Sequence, residues 1–494
     1  MTILEAVRAH ELTLNFGGRF GFGIDQWAHV PFDVPEGVRR ITVSTSHDRF
    51  SLFGVARNVL DLGIFGPAGH DLGNAEGFRG WSGGARAGFT VSGSDATPGY
   101  LSGPIDPGRW ALAFGPVVLN PLGMGWQATV VLECGAPLPV PSPVPPPPTV
   151  VPDRGVAWYR GDLHLHTVHS DGNYEPDELA ATARSAGLDF MVSTEHNTNT
   201  ANQAWGACRT EGLLVIAGEE VTTRHGHWLA VGLPPRGWID WRYAPRDGVH
   251  GRFAAQVRAD GGMVVAAHPA VPLPGSAWEF GFTDVDALEV WNGVWNVDDE
   301  LSLRIWHRLL RRGQRIAAVG GSDSHGPRQR VGSPQTVVRA VELSTPAVIE
   351  GLRHGRSYLA ESSDVTLELT AALDDGDATL TAGPGEDLAV PAGAEVTLSA
   401  AVSGAPGTTL AIVTADGCPV RVPVGASGTG RLEWTTTGSA IRFARAEVRR
   451  LVRRRLPTMV ALSNPVWLSR DSSAGVCDFV EGPGLREPFA NRLP

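Results

Sequence analysis

Hydrophobic and polar positions divide the chain into three blocks with different periods. Through residues 1–136, short runs such as Glu11–Asn15, Arg40–Ser44 and Gln127–Glu133 alternate every second residue between Gly, Pro, Asp and Asn breaks, which predicts an N-terminal β-sandwich. Residues 153–362 change character. Apolar strands are expected at Phe190–Thr194, Leu214–Ala217, Met263–Ala267, Ala287–Val290 and Ile316–Val319, with amphipathic helices near 176–186, 198–211, 249–260, 298–313 and 345–354. Strand–helix alternation of this kind predicts βα units around a parallel sheet, either a barrel or an open sheet. After Glu361 the helical period stops. Alternating runs at Val365–Thr370 and Glu395–Ser399 predict a C-terminal β-sandwich over 363–494. Between the first two blocks, Pro137–Pro152 holds nine prolines and reads as a semi-rigid linker with few backbone donors.

At 494 residues the chain exceeds what one core supports, so this three-block division is expected on size as well. A net charge of -11 disfavours a nucleic-acid backbone or an anionic membrane as partner. The basic run at 449–455 reads as a solvated helix or strand edge. Cys134, Cys208, Cys418 and Cys477 have no Cys-x-x-Cys spacing, so neither a disulfide framework nor a thiolate zinc site is indicated. Met1–His10 lacks a signal-peptide pattern, and no apolar run approaches the roughly 20 residues of a membrane span, so a cytoplasmic protein is expected.

Histidine placement locates the chemistry. Of 15 histidines, 11 lie between 164 and 354, and none follows 354. In an extended segment His164 and His166 share a face, and Asp171 follows in a Ser-Asp-Gly turn. Further metal-capable residues sit just past the other expected strands: Glu195 and His196, Glu219 and Glu220, His268, Asn292, and Asp323 with His325. In parallel α/β architectures these ends converge on one face. A mixed imidazole and carboxylate set suits zinc, manganese or iron, and the number of donors suits two or three divalent ions.

With these residues in view, the middle block resembles the PHP (polymerase and histidinol phosphatase) metallohydrolases. The resemblance rests on His164-x-His166 with Ser170-Asp171-Gly172, Thr194-Glu195-His196, Gly218-Glu219-Glu220, Ala267-His268-Pro269 and Gly321-Ser322-Asp323-Ser324-His325, all in the family's order. It spans about 200 residues. The Pro-rich approach, Glu289-Val-Trp-Asn-Gly293 and the β blocks further resemble the CehA/McbA-like subgroup, named for carbaryl hydrolases. The second motif departs from the usual Asp-His by having Glu195 before His196.

The resemblance implies an α/β fold, a distorted (β/α)7 barrel flanked by the two β-sandwiches. It also implies that one ion takes His164, His166, Glu220 and Asp323. A second would share Glu220 and add His268 and His227, and a third would take Asp171, His196 and His325. Glu220 is preferred to Glu219 by motif register; Arg224-His225-Gly226-His227 offers two candidates for one position. His169 falls outside the first set because it alternates with neither the His pair nor the turn.

A multinuclear cluster activates water for attack on phosphorus or a carbonyl carbon and stabilises the charge that develops. Glu220, Asp323, His225 and Asn292 are the catalytic candidates, with Arg224, Arg328 and His354 as further anion contacts. Trp228, Trp238, Trp241, Trp278, Trp291 and Trp295 either form an aromatic pocket or pack the core. The expected activity is metal-dependent hydrolysis of a small-molecule ester, phosphoester first and carbamate or aryl ester second. The rival from another class is a binding protein on a degenerate scaffold, which the retention of every metal-capable residue disfavours. No nucleic acid or membrane partner is expected, and the β blocks are candidates for a homo-oligomer interface.

Overall fold

In the computed structural model, the middle block is a strongly curved sheet whose strand ends gather the histidines. The structure describes residues 11–470 apart from 24–25, 50–57, 274, 375, 377, 392, 439 and 453–455. Cys477, the start of the chain through His10, and Arg453–Arg455 of the basic run lie outside the described residues. Strands β1 (Ala157–Asp162), β2 (Phe190–Ser193) and β3 (Leu214–Thr223) run parallel. β4 (Gly226–Val231) folds back on β3 as a hairpin, and β5 (Met263–Ala266) pairs antiparallel with β4, so β5 again runs with β3. β6 (Ala287–Asn292) and β7 (Ala317–Gly321) continue parallel to β5. β8 (Gln335–Ala340) returns antiparallel along the other side of β1, followed by β9 (Ser357–Ala360). Beyond the last residues of β1 and β7, Leu165 and Ser324 form a parallel bridge, which draws the two ends of the β1–β7 run together.

Short apolar strands of this type bury both faces, and β2 and β5 are buried at every position. Phe190, Val192, Ile216, Val265 and Val319 share one core. Four α-helices among the described residues pack outside: α1 (Pro176–Ser185), α2 (His250–Ala259), α3 (Val297–Arg311) and α4 (Thr345–Arg353). Their caps come from side chains close in sequence. Glu175 and Glu178 form a capping box around Pro176, and Asn296 accepts from the Asp298 amide at the start of α3.

Two stretches depart from the expected alternation. The helix expected near 198–211 is a series of turns with one 3-10 turn at Trp205–Ala207. Its Asn and Thr side chains bond elsewhere: Thr198 Oγ1 donates to the Gly99 carbonyl and Asn202 Nδ2 to that of Gly218. Such side chains compete with helical hydrogen bonding, and Asn197 is already left-handed at φ 55. The strand expected at 214–217 instead runs to Thr223, because the β3–β4 hairpin continues it. β2–β3 and β3–β4 therefore lack the α-helical crossovers of a (β/α)7 repeat.

The N-terminal residues form two four-stranded antiparallel sheets, one with Val38–His47 and Met124–Cys134 at its centre, the other with Val59–Phe65 and Gly108–Val118. Their inward residues, including Ile41, Leu62, Trp110 and Val130, share one core. The C-terminal residues build a second pair of sheets around Leu369, Leu398, Ile412 and Val448. Thr458–Ser463 of that block pairs directly with β9, so one ladder crosses the 362/363 position where the sequence pattern changes. The Pro-rich segment lies against the middle block: a Cβ on Gly206 would sit 1.6 Å from the Pro145 carbonyl oxygen. No helix among the described residues is long and apolar enough to cross a membrane.

Candidate metal centre

His164 and His166 lie just beyond β1 and are fully buried. Asp162 anchors this turn. Its Oδ1 accepts from the His164 and Ser322 amides, and its Oδ2 from that of Gly332. Gly321 ends β7 directly against the pair, where a Cβ would fall 2.6 Å from the His164 Cβ, so a side chain would push them apart. On β3, alternation sends Glu220 into the cluster and Glu219 the other way, where its Oε2 accepts from the Ile239 amide at 3.0 Å. His268 and Asp323 follow β5 and β7 in left-handed backbone, at φ 29 and φ 49. Each such conformation costs about 1–3 kcal/mol and persists only where surrounding contacts impose it.

Glu220 is the hub. Its Oε2 lies 2.8 Å from His196 Nδ1, 3.2 Å from His164 Nε2 and 3.5 Å from His166 Nε2. Its Oε1 lies 2.9 Å from His227 Nδ1 and 3.2 Å from His268 Nε2. Asp323 Oδ1 stands 3.1 Å from His166 Nε2 and 3.4 Å from His164 Nε2. Asp171 Oδ1 is 3.3 Å from His325 Nε2 and 3.5 Å from His196 Nε2. Ligand atoms held about 2.1 Å from one tetrahedral ion are roughly 3.4 Å apart, so most of these separations are those of shared ligands.

The donors fall into overlapping groups: His164, His166 and Asp323; Glu220, His227 and His268; and Asp171, His196 and His325 with His166. His164 Nε2 and Glu220 Oε2 are buried and adjacent yet make no hydrogen bond. That is how two lone pairs aimed at a common ion behave, and the residues fit a cluster of divalent cations. An all-nitrogen-and-oxygen set of this kind suits zinc, manganese or iron.

Burial penalises every charge here, so the directions that survive it are informative. Burial would raise Glu220, but His196, His164 and His227 pull its carboxyl well below the usual range. Burial would likewise raise Asp323, and His164 and His166 hold it well below. Burial opposes charge on His196, yet Glu220 and Asp171 raise the ring to about 10. Burial, reinforced by His196 and His325, pushes His166 down to about 3. Carboxylates thus draw protons onto selected imidazoles, and a divalent cation bound in their place releases those protons.

Two supporting residues, Glu289 and Thr222, were not among the metal-capable sequence candidates, while Glu195, which was, plays a supporting part. Glu289 Oε1 lies 3.0 Å from His164 Nδ1, while its Oε2 accepts from the His268 amide and from Asn292 Nδ2. A lone carboxylate inside the buried run Ala287–Asn292 was the available signal. Glu195 accepts from the Thr167 amide and the Thr167 and Ser170 hydroxyls, so it braces the turn carrying Asp171. Thr222 Oγ1 meets His196 Nδ1 at 2.7 Å. Residues that orient metal ligands typically carry 10–100-fold in metal affinity. Glu289→Ala is therefore expected to weaken metal binding by about 10–100-fold with the fold intact, as read by metal titration and circular dichroism.

Asn292 reaches Asp323 Oδ2 at 3.3 Å and lines the site, so it orients Asp323 and Glu289. Other candidates are directed elsewhere. His225 Nδ1 lies 2.8 Å from Glu279 Oε2, in the turn that precedes β4. Arg224 is buried against Asp61 of the N-terminal block. His169 bonds Thr200 Oγ1. Arg328 is an exposed turn residue, and His354 borders a separate pocket with Arg315 and Asp387. Trp228, Trp238, Trp241, Trp291 and Trp295 are buried in one apolar cluster with Trp278 packed against it, so they fill the core and do not line the cleft.

The cleft beside the cluster is a cavity of about 360 Å³. It is lined by Asp171, His196, Thr222 and His227 of the middle block and by Val59, Asp61 and Trp81 of the N-terminal block. An adjoining cavity of about 220 Å³ reaches Glu220, His268, Asn292 and Asp323. The chain has no lysine, so all 41 basic residues are arginines, and none of them lines either cavity among the described residues.

No protein-family model matches the chain, and no curated protein matches it. Among solved structures, a two-domain protein from Bacteroides vulgatus containing a predicted PHP-like metal-dependent phosphoesterase is similar, with 18% identity and a TM-score of 0.35 over 64% of this chain and 98% of that one. A protein from Bifidobacterium adolescentis assigned as a metal-dependent phosphoesterase gives 22% identity and a TM-score of 0.27 over 37% of this chain and 92% of its own. An amidohydrolase from Chromobacterium violaceum gives 20% identity and a TM-score of 0.26 over 35% and 89%. At these TM-scores the likenesses decide neither fold nor chemistry, which rest on the residues described above.

Proposed function

We propose that this protein is a metal-dependent hydrolase of PHP type, acting on phosphoester bonds through two or three divalent ions. The observation that carries the reading is Glu220. One fully buried carboxylate lies within 3.5 Å of a nitrogen on each of five histidines, an arrangement with little value except to bridge cations. His164, His166 and Asp323 would hold one ion with Glu220, His227 and His268 a second, and Asp171, His196 and His325 a third. When bound, such ions activate water at neutral pH and polarise the bond that is broken.

The chain's own groups set up that chemistry. Glu289 and Asn292 fix the directions of His164 and Asp323, which limits the reorganisation needed during reaction. Glu195 holds the 167–170 turn and with it Asp171. The wall of Val59 and Trp81 shields one side of the cleft from water. A cleft lined by no arginine among the described residues also supports a second reading, hydrolysis of a neutral aryl ester or carbamate.

Metal analysis after reconstitution is the first test, with at least two ions per chain expected. Chelation should abolish hydrolysis of phosphomonoesters, phosphodiesters and aryl carbamates alike, and restored zinc, manganese or iron should recover it. Fewer than one ion per chain would overturn the cluster. Full metal loading with no turnover of any of these substrates would favour the binding-protein reading.

A further inference from the structure

The N-terminal β block contributes a charge to the cleft. Asp61 lies within the strand Val59–Phe65, is 6% exposed and lines the cavity together with Asp171 and His196. Its Oδ2 accepts from Arg224 Nη2 at 2.9 Å. Arg224 is itself buried, with its guanidinium carbon 4.9 Å from the Trp27 ring centroid, and is held away from the cavity. Burial raises the Asp61 carboxyl and Arg224 opposes that; smaller influences of His196 and Asp171 place it within electrostatic reach of the cluster. The substrate space is thus lined by a carboxylate whose partner Arg224 is not itself a lining residue, and no arginine lines the space among the described residues.

We infer that Asp61 is a specificity-determining residue, which admits substrates carrying at most one negative charge at the group to be hydrolysed and rejects dianionic phosphomonoesters. Like charges in a partly desolvated cleft repel strongly, and a phosphodiester monoanion or a neutral ester meets less of that repulsion. The inference rests on the hydrolase reading above but makes a separate claim, that selectivity by charge comes from outside the block that holds the metals.

The test compares the wild type with Asp61→Asn and with the double variant Asp61→Asn/Arg224→Gln. The double variant removes both members of the buried pair, which is far less damaging than orphaning Arg224. With metals restored, kcat/KM is measured for dianionic p-nitrophenyl phosphate, monoanionic bis(p-nitrophenyl) phosphate and neutral p-nitrophenyl acetate. Calorimetry on the same proteins reads the binding of inorganic phosphate against dimethyl phosphate. The wild type should favour the monoanion, and Asp61→Asn, which removes the negative charge and leaves Arg224 uncompensated, should raise the dianion-to-monoanion ratio by about tenfold in both kinetics and binding, with a smaller rise in the charge-balanced double variant. A parallel fall for all substrates, with both ratios unchanged and a lower melting temperature, would reduce the pair to an inter-block latch and overturn the inference. If the wild type turns over none of the three, the hydrolase reading fails, while the binding ratio still decides the role of Asp61.

Discussion

Glu220→Gln is expected to lower kcat/KM by about 10³-fold or more, equivalent to about 4 kcal/mol of lost transition-state stabilisation. The glutamine is nearly isosteric and keeps one carbonyl oxygen, so the β3–β4 ladder around it should survive. What it removes is the charge that His164, His166, His196, His227 and His268 surround. Metal content should fall by at least one ion per chain, with the far-ultraviolet circular dichroism unchanged. Wild-type metal content combined with wild-type turnover would rule out Glu220 as the bridge.

Glu447→Gln should produce the largest loss of stability, about 3 kcal/mol near neutral pH. Arg445, Glu447 and Arg449 alternate along Phe443–Arg450 and so share one face. Glu447 accepts from Arg445 Nη1 and, at 2.6 Å, from Arg449 Nε. Arg449 in turn donates to Glu300 on α3, and Arg445 lies over Trp306 of the same helix, 5.3 Å from the ring centroid. The cluster therefore docks the C-terminal block on the middle block that carries the histidine cluster.

Burial would raise the Glu447 carboxyl, but Arg445 and Arg449 hold it at about 2. A carboxyl depressed from its ordinary value near 4.5 to about 2 contributes about 3 kcal/mol above pH 4.5, and this is lost as pH falls towards 2. Breaking a buried pair by removing one partner leaves uncompensated charge, in line with a cost of this size. Urea unfolding of wild type and variant should differ fully at pH 7 and converge only as pH approaches about 2. An equal gap at both pH values would contradict the assignment.

The parts of the centre legible in the sequence were those whose chemistry is local. His164, His166, His196, His268, Asp323 and His325 stand just past short apolar runs, and strand ends are where such donors gather. Caps such as Glu175 with Glu178, and the alternating runs of the flanking blocks, follow from propensities acting over a few residues. The 198–211 stretch shows the limit of that reasoning. Its apolar spacing suits a helix, yet Asn202 finds a better partner in Gly218, which only the folded chain brings near.

Side-chain direction across long separations was not legible. His225 and His227 are equivalent in sequence; the β3–β4 hairpin register sends His227 to Glu220 and leaves His225 to Glu279. Arg224 reads as a free cation until Asp61 meets it from 163 residues earlier in the chain. The six tryptophans read equally as a pocket or a core, and burial in one apolar cluster decides for the core.

Residue type and short-range period thus pointed to the metal-capable side chains and to the apolar runs that precede them, because both depend on donor chemistry and on burial repeated every two or four residues. The shape and charge of the space beside the candidate ligands were settled only by tertiary structure. They depend on the N-terminal strand Val59–Phe65 reaching across to Asp171 and His196, an approach that packing fixes and no local pattern encodes.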